Sequence, residues 1–147
     1  MSEEHVEAFT RALRGLGVIY TKIAGQQGAS HATLGKQDLL AIGVLGLRGN
    51  ARMGEVAEHL GISQSATTPI IGRLEGRGLV QRSRSPTDRR VWTVGLTDAG
   101  LEVYRDEDTI YRQAAVEMMA PLEHGEREAL VRLLEKMMAP ALKDGGA

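Results

Sequence analysis

The sequence predicts a mainly α-helical protein that carries one small β-hairpin. Apolar residues recur three and four positions apart in several separate stretches, which is the period of amphipathic helices. Only the region around 79–97 is rich in valine, tryptophan and threonine, and a proline turn divides it into two strand-like runs. The length of 147 residues fits one domain spanning 1–147.

The first helix is predicted over residues 3–25. Its apolar residues alternate between spacings of three and four, which places them in one seam. They are Val6, Phe9, Leu13, Leu16, Tyr20 and Ile23. After the glycine-rich stretch "AGQQGAS", a second helix is predicted over 36–48, apolar on nearly every side and ending at Gly49-Asn50.

Residues 53–80, "MGEVAEHLGISQSATTPIIGRLEGRGLV", predict two helices joined by a tight turn. Gly61 permits the left-handed conformation that ends the first helix, Ser63 is a good N-cap for the second, and Gly78 would end it. On a helical projection, one side of the second helix is the expected core: Thr67, Ile70, Ile71 and Leu74. This order is typical of a helix-turn-helix.

The runs "LVQRSR" and "RRVWTVGLT" predict two strands, and "SPTD" between them supplies the turn. Thr97 or Asp98 then caps a long helix. Its expected seam is Leu101, Tyr104, Tyr111, Ala115, Met118 and Leu122. Pro121 and Gly125 separate it from a last helix with the apolar residues Leu130, Leu133, Leu134, Met137 and Met138.

Composition narrows the classes of function. The absence of cysteine excludes disulfides and thiolate chemistry, and the four histidines are widely separated, so we expect neither a metal site nor a cofactor. No nucleophile elbow or phosphate-binding loop is present, and we therefore expect no enzyme. The sequence shows no secretory signal or membrane span, from which we expect a cytoplasmic protein without a membrane partner.

The net charge of -1 hides a basic segment. Between residues 61 and 97, six arginines stand against two carboxylates, an excess of four positive charges, whereas the C-terminal third is acidic. Because only the contacting face needs to be basic, the low total charge is compatible with a polyanionic partner.

A helix-turn-helix followed at once by a basic hairpin predicts a winged helix-turn-helix. With "VAEHLGIS", "RLEGRGLV", the wing "SPTDRRVWTVGLTDAG" and flanking helices in this order, the chain resembles the MarR family of transcription regulators. The resemblance implies a sequence-specific regulator that binds double-stranded DNA. It also implies that Arg90 reads a minor groove, that Asp88 orients Arg90, and that Arg84 and Arg89 meet phosphates. The alternative is that these arginines only solvate an exposed hairpin.

The side of the second helix opposite its core would face the major groove. It carries Ser65, Thr68, Pro69, Gly72 and Gly76, with Gln64 near its N-terminal end. Gln64, Ser65 and Thr68 are candidates for base or phosphate contacts, although all three also suit a helix start. Pro69 stands where many relatives carry arginine, and we expect it to remove a contact and to strain the helix.

Two further arginines, Arg73 and Arg77, lie on the flank of that helix. Arg77 is expected to bind phosphate. For Arg73 both phosphate and a neighbouring carboxylate remain possible partners.

The resemblance divides the chain into a DNA-binding region, 36–97, and a helical dimerisation region, 3–25 and 98–142. A two-fold homodimer would bury the apolar seams of the terminal helices, and the alternative is a three-helix bundle within one chain. The dimer predicts half-sites about 34 to 36 Å apart.

The family also implies release by a small aromatic or anionic effector. Candidate lining residues are Arg14, Tyr20, His31, Tyr104 and Tyr111. A rival function is a winged-helix protein-interaction module that does not bind DNA.

Overall fold

The computed structural model describes residues 1–26 and 33–143. The described residues form α1 (Glu3–Gln26), α2 (Lys36–Arg48), α3 (Met53–Leu60), α4 (Gln64–Gly76), β1 (Val80–Arg84), β2 (Trp92–Leu96), α5 (Asp98–Met119) and α6 (His124–Lys143). The fold class, mainly α with one β-hairpin, is confirmed. Each predicted element is present, with strands a few residues shorter than the β-like runs.

The main core lies where α2, α3, α4, the hairpin and the start of α5 meet. Its most buried side chains include Ile42, Leu45, Val56, Ile71 and Leu74. All four positions predicted as the core side of α4 are buried. The helix periodicity of the sequence therefore identified the inward side of this helix.

Local signals fix the ends of these helices. Gly61 ends α3 with φ of 65°, a left-handed conformation in which a side chain would be strained. Ser63 Oγ accepts a hydrogen bond from the Ala66 N–H at 3.1 Å and so caps α4. Of the two candidates for the start of α5, Thr97 is the N-cap, because its hydroxyl accepts from the Gly100 N–H at 3.1 Å.

The hairpin strands pair antiparallel, with Val80 opposite Leu96 and Arg84 opposite Trp92. Ala51 adds a third, single-residue strand: it exchanges backbone hydrogen bonds of 3.0 and 2.8 Å with Val94. The sequence analysis missed this bridge because one residue carries no strand periodicity. The bridge attaches the wing to the segment between α2 and α3.

The stripe of α5 that is buried within one protomer lies one residue before the apolar seam predicted from the sequence. The buried positions of α5 are Gly100, Val103, Glu107, Ile110 and Ala114, whereas Tyr111 is exposed and Leu122 lies beyond the end of the helix. Apolar spacing could not identify a stripe that contains a glycine and a glutamate. The inward face of α5 is therefore partly polar.

The terminal helices leave most of their apolar residues uncovered within one protomer. In α1 only Ile23 is buried, against Ile110 and Ala114 of α5, while Phe9 and Leu13 are exposed. The predicted apolar residues of α6 are exposed as well. One chain therefore does not bury these seams in a three-helix bundle of its own.

In the described part of the chain, no helix is both long enough and apolar enough to cross a membrane.

Candidate nucleic-acid interface

The outward face of α4 is built from small or uncharged residues. Gln64, Ser65, Thr68 and Pro69 are exposed, and they continue toward Gly72 and Gly76. A Cβ atom added to either glycine would meet nothing within 4 Å. The side chains on this face of α4 are therefore short and uncharged. Such a face lets a helix come close to the floor of the major groove.

Two hydroxyl groups on this face are engaged within the protein. The Thr68 hydroxyl donates to the carbonyl oxygen of Gln64 at 3.1 Å, one turn back along the helix. The hydroxyls of Ser65 and Ser63 share a hydrogen bond of 3.0 Å at the cap. Among the described residues, the side chain of Gln64 forms no such hydrogen bond, in contrast to Ser65 and Thr68.

Pro69 lies inside α4, and the helix continues past it to Gly76. Because proline has no N–H, the carbonyl group of Ser65 has no α-helical donor four residues later. The expected strain does not break the helix. The pyrrolidine ring takes the exposed position next to Thr68.

Both flanking arginines of α4 are held by other parts of the protein. Arg73 Nη2 lies 2.8 Å from the Oδ1 atom of Asp38, which is buried at the first turn of α2. Arg77 donates to the carbonyl oxygen of Thr33 at 2.7 Å and to its hydroxyl at 2.6 Å. These contacts tie α4 to the start of α2 and leave less of either guanidinium for phosphate.

The tip of the wing is a small hydrogen-bonded loop. The Ser85 hydroxyl accepts from the N–H groups of Thr87 and Asp88 at 3.4 and 3.5 Å. The Asp88 carboxylate accepts from the backbone N–H of Arg90 at 2.9 Å, and the Val91 carbonyl accepts from the Ser85 N–H at 2.8 Å. Asp88 therefore orients Arg90 through the backbone, which leaves the guanidinium available.

The stem of the wing carries a residue that the sequence analysis did not single out. Trp92 is half exposed, and the guanidinium carbon of Arg84 lies 4.1 Å from the centroid of its ring. Such a cation–π contact restrains an exposed arginine without neutralising it. An exposed tryptophan directly opposite an arginine in a hairpin was the available signal.

A groove connects the wing with the start of α4. Its lining includes Arg52, Gln64, Val91 and Trp92. Arg52, which also went unnoticed in the sequence, precedes α3 directly. The fold thus brings the N-terminal end of α4 and the stem of the wing to one side of the molecule.

The six arginines of the basic segment fall into three groups, of which the first is Arg77 alone, with its hydrogen bonds to Thr33. Arg73 and Arg82 pair with carboxylates, the latter with Glu75 at 3.4 Å. Within residues 1–26 and 33–143, the guanidinium groups of Arg84, Arg89 and Arg90 form no ion pair, and all three are exposed. Among the described residues of this segment, three of the four arginines without a carboxylate partner are therefore on the wing, and the fourth is Arg77.

The predicted effector residues are distributed over three places. Tyr20 and Tyr111 meet with their ring centroids 5.1 Å apart, whereas the ring of Tyr104 packs against Gly46 where α2 and α5 cross. Arg14 lies on a shallow surface groove of α1. His31 lies outside the described residues.

A buried carboxylate completes the tyrosine pair. The Tyr20 hydroxyl donates to both oxygens of Glu107, at 2.8 and 2.9 Å, and Glu107 is 5% exposed. Burial and this hydrogen bond raise the pKa of Tyr20, and burial with the Glu107 charge raises that of Tyr111. Sequence reasoning missed Glu107 because a lone glutamate in an acidic helix gives no local signal.

No group of histidine, aspartate and glutamate side chains suited to a metal ion occurs among the described residues.

Comparison with known proteins identifies the family. The sequence model of a protein family described as "MarR family" matches residues 43–92, which include the helix-turn-helix and most of the wing. The HTH-type transcriptional repressor NicR of Pseudomonas putida is 32% identical over 113 residues, which are 77% of this chain and 72% of NicR. The chain belongs to the MarR family.

Solved structures of other proteins share this fold. RV1404 from Mycobacterium tuberculosis superposes with a TM-score of 0.76 and 26% identity, over 95% of this chain and 94% of that one. BpsR of Bordetella bronchiseptica gives a TM-score of 0.67 and 25% identity, over 92% of each chain. As a MarR-family member the protein is a DNA-binding transcription regulator, and members of the family bind DNA as dimers.

Proposed function

We propose that this MarR-family regulator is a homodimeric repressor that binds a pseudo-palindromic operator and is released by a small ligand. Residues 36–97 form the DNA-binding region, and residues 3–25 with 98–142 form the helical dimerisation region. The observation that carries the DNA-binding part is the group of three unpaired arginines on a wing whose tip is fixed by hydrogen bonds. The function requires binding and release, without a catalytic step.

The wing supplies the electrostatic part of DNA binding. Arg90 enters the minor groove, where a narrow groove concentrates negative potential, and Arg84 and Arg89 meet the phosphates beside it. Because Asp88 fixes the backbone at Arg90, less conformational freedom is lost on binding. A surface role alone would not require this fixed loop.

The uncovered seams of α1 and α6 supply the dimer. Phe9 and Leu13 of α1 and Leu133 and Met137 of α6 are each about half exposed in one protomer. An isologous contact with a second copy would bury both helices at once, and the two recognition helices would then lie about 34 to 36 Å apart.

The cluster of Tyr20, Tyr111 and Glu107 supports an aromatic effector rather than an anionic one. The paired rings offer an aromatic surface, while the Glu107 carboxylate would repel an anion brought next to it. The similar protein BpsR, whose DNA binding is regulated by 6-hydroxynicotinic acid, is a precedent for the aromatic ring only, since that compound also carries a carboxylate.

The decisive experiment is the substitution Arg90→Ala. Loss of one groove-inserted charge should weaken binding to duplex DNA and lower the salt slope of log K by about 1, while the dimer mass and the unfolding midpoint stay unchanged. Arg112→Ala is the matched control, since it removes the same charge from an exposed site on α5. Equal affinities of the Arg90 variant and the parent would remove the wing from the mechanism.

A protein-interaction module is the rival function. It predicts that the parent protein shows no salt-dependent affinity for any duplex. The same titration therefore distinguishes the two functions.

A further inference from the structure

The middle of the outward face of α4, all of which the structure describes, offers bases no free side-chain hydrogen-bond donor. Thr68 uses its hydroxyl proton on the Gln64 carbonyl, and the Ser65 hydroxyl is engaged with Ser63. Pro69 has no N–H, and the two glycines that follow have no side chain. What the middle of this face presents is the methyl group of Thr68 and the ring of Pro69.

The major groove has one apolar feature that distinguishes a base pair, the C5-methyl group of thymine. An apolar surface on a recognition helix can select that group by close contact. It offers few partners to the polar groups that every base pair carries in this groove, and their loss of hydration opposes binding. Contact with the methyl group is therefore what favours thymine over the other bases. Gly72 and Gly76 permit the approach, because neither position holds a side chain that would keep the helix off the groove floor.

We propose that the recognition helix selects thymine through its C5-methyl group, which contacts the Thr68 methyl group and the Pro69 ring. This inference rests on the proposed DNA-binding function and specifies what the helix reads. Different parts of the protein then supply affinity and specificity. The wing arginines bind the anionic DNA backbone and the minor groove, and the uncharged outward face of α4 discriminates bases by van der Waals contact. Gln64, at the first turn, remains free to add a polar contact at the edge of the site.

The test is a selection of bound duplexes from two random pools. One pool contains thymine, and the other contains deoxyuridine in its place, which removes the methyl group and preserves every hydrogen-bonding group of the base. The parent protein should enrich a T·A pair at one or two positions of each half-site in the first pool. Those preferences should weaken about three- to fivefold in the second pool, as expected for one buried methyl group.

Two variants assign the contact. Thr68→Ser keeps the hydroxyl and removes the methyl group, so it should reduce the difference between thymine and deoxyuridine to the part that the Pro69 ring supplies. Thr109→Ser is the matched control, because Thr109 makes the same hydrogen bond, to the Arg105 carbonyl at 2.9 Å, on the exposed surface of α5. This control should discriminate the two bases as the parent does.

Each outcome is informative. The same motif with equal enrichment in both pools would overturn the inference, as would salt-dependent binding without any enrichment. An undiminished thymine preference in the Thr68 variant would place the contact elsewhere and overturn the inference as stated. Absence of duplex binding in both pools would instead contradict the proposed function, and the Arg90 titration identifies that case separately.

Discussion

Asp38→Asn tests how the protein holds its recognition helix. The Asp38 side chain is 9% exposed and lies 2.8 Å from Arg73 Nη2, whose side chain is 53% exposed. Its other oxygen accepts from the Gly35 N–H at the start of α2, a cap that asparagine can also provide. The substitution therefore removes both the charge that pairs with Arg73 and its hydrogen bond, because the single oxygen of asparagine can accept from only one of the two donors.

The expected magnitude follows from the unequal burial of the two partners. A hydrogen bond to a charged group contributes about 1.5 to 3 kcal/mol, whereas a fully exposed pair contributes about 0 to 1 kcal/mol. With one partner buried and the other half in solvent, we expect a coupling free energy of about 1 to 2 kcal/mol. For a chain of this size, this corresponds to a lower midpoint of thermal unfolding by about 2 to 8 °C.

The assay is a double-mutant cycle of Asp38→Asn and Arg73→Met by urea unfolding. All four proteins are compared at one protomer concentration, because dimerisation contributes to stability. A coupling below about 0.3 kcal/mol would refute the structural role of the pair. The cycle isolates their interaction from the separate effect of each side chain.

The same variants decide whether Arg73 contacts DNA. An arginine held by Asp38 should leave the salt slope of duplex binding unchanged when it is replaced, even if affinity falls because the helix is less well positioned. A slope reduced by about 1 in Arg73→Met would assign Arg73 to phosphate and contradict this reasoning.

Two further predictions concern the helices around the wing domain. The pKa of Tyr20 is raised in the folded state, so the free energy of unfolding should fall as the pH rises above the ordinary pKa of 10.0. Tyr20→Phe should make that fall shallower when stability is measured by urea unfolding at several pH values. An equally steep fall in the variant would contradict the prediction. Leu13→Glu should shift the protein toward monomer in sedimentation velocity, because it places a charge in the apolar seam of α1. Val18 is exposed and lies outside that seam, so Val18→Glu should leave the dimer intact. Equal behaviour of both variants would argue against this interface.

Predictions from the sequence were correct where a feature depends only on residues close to it in the chain. Gly61 ends α3, Ser63 caps α4, and the buried side of α4 follows its period. These outcomes depend on backbone preferences and helix geometry, which act within a few residues. The apolar period alone did not identify the buried stripe of α5, which includes Glu107, a carboxylate that accepts a hydrogen bond from Tyr20, eighty-seven positions away.

The candidate interface divides in the same way. The unpaired arginines of the wing could be found from sequence, because a basic run around a proline turn marks an exposed hairpin. The partners of Arg73 and Arg77 could not be found from the sequence, since Asp38 and Thr33 lie 35 and 44 positions away along the chain. The chemical character of the α4 face also depended on hydrogen bonds made by Thr68 and Ser65.

The sequence by itself determined the order of helices and strands, the turns that join them and the basic character of the wing. Short-range sterics, capping and hydrophobic period set those features, and all are written in neighbouring residues. Only the tertiary structure decided which charges are neutralised, which polar groups are buried and which apolar faces remain uncovered. Those properties arise when distant segments meet, because burial changes the free energy of each charged or polar group according to the partner it finds there.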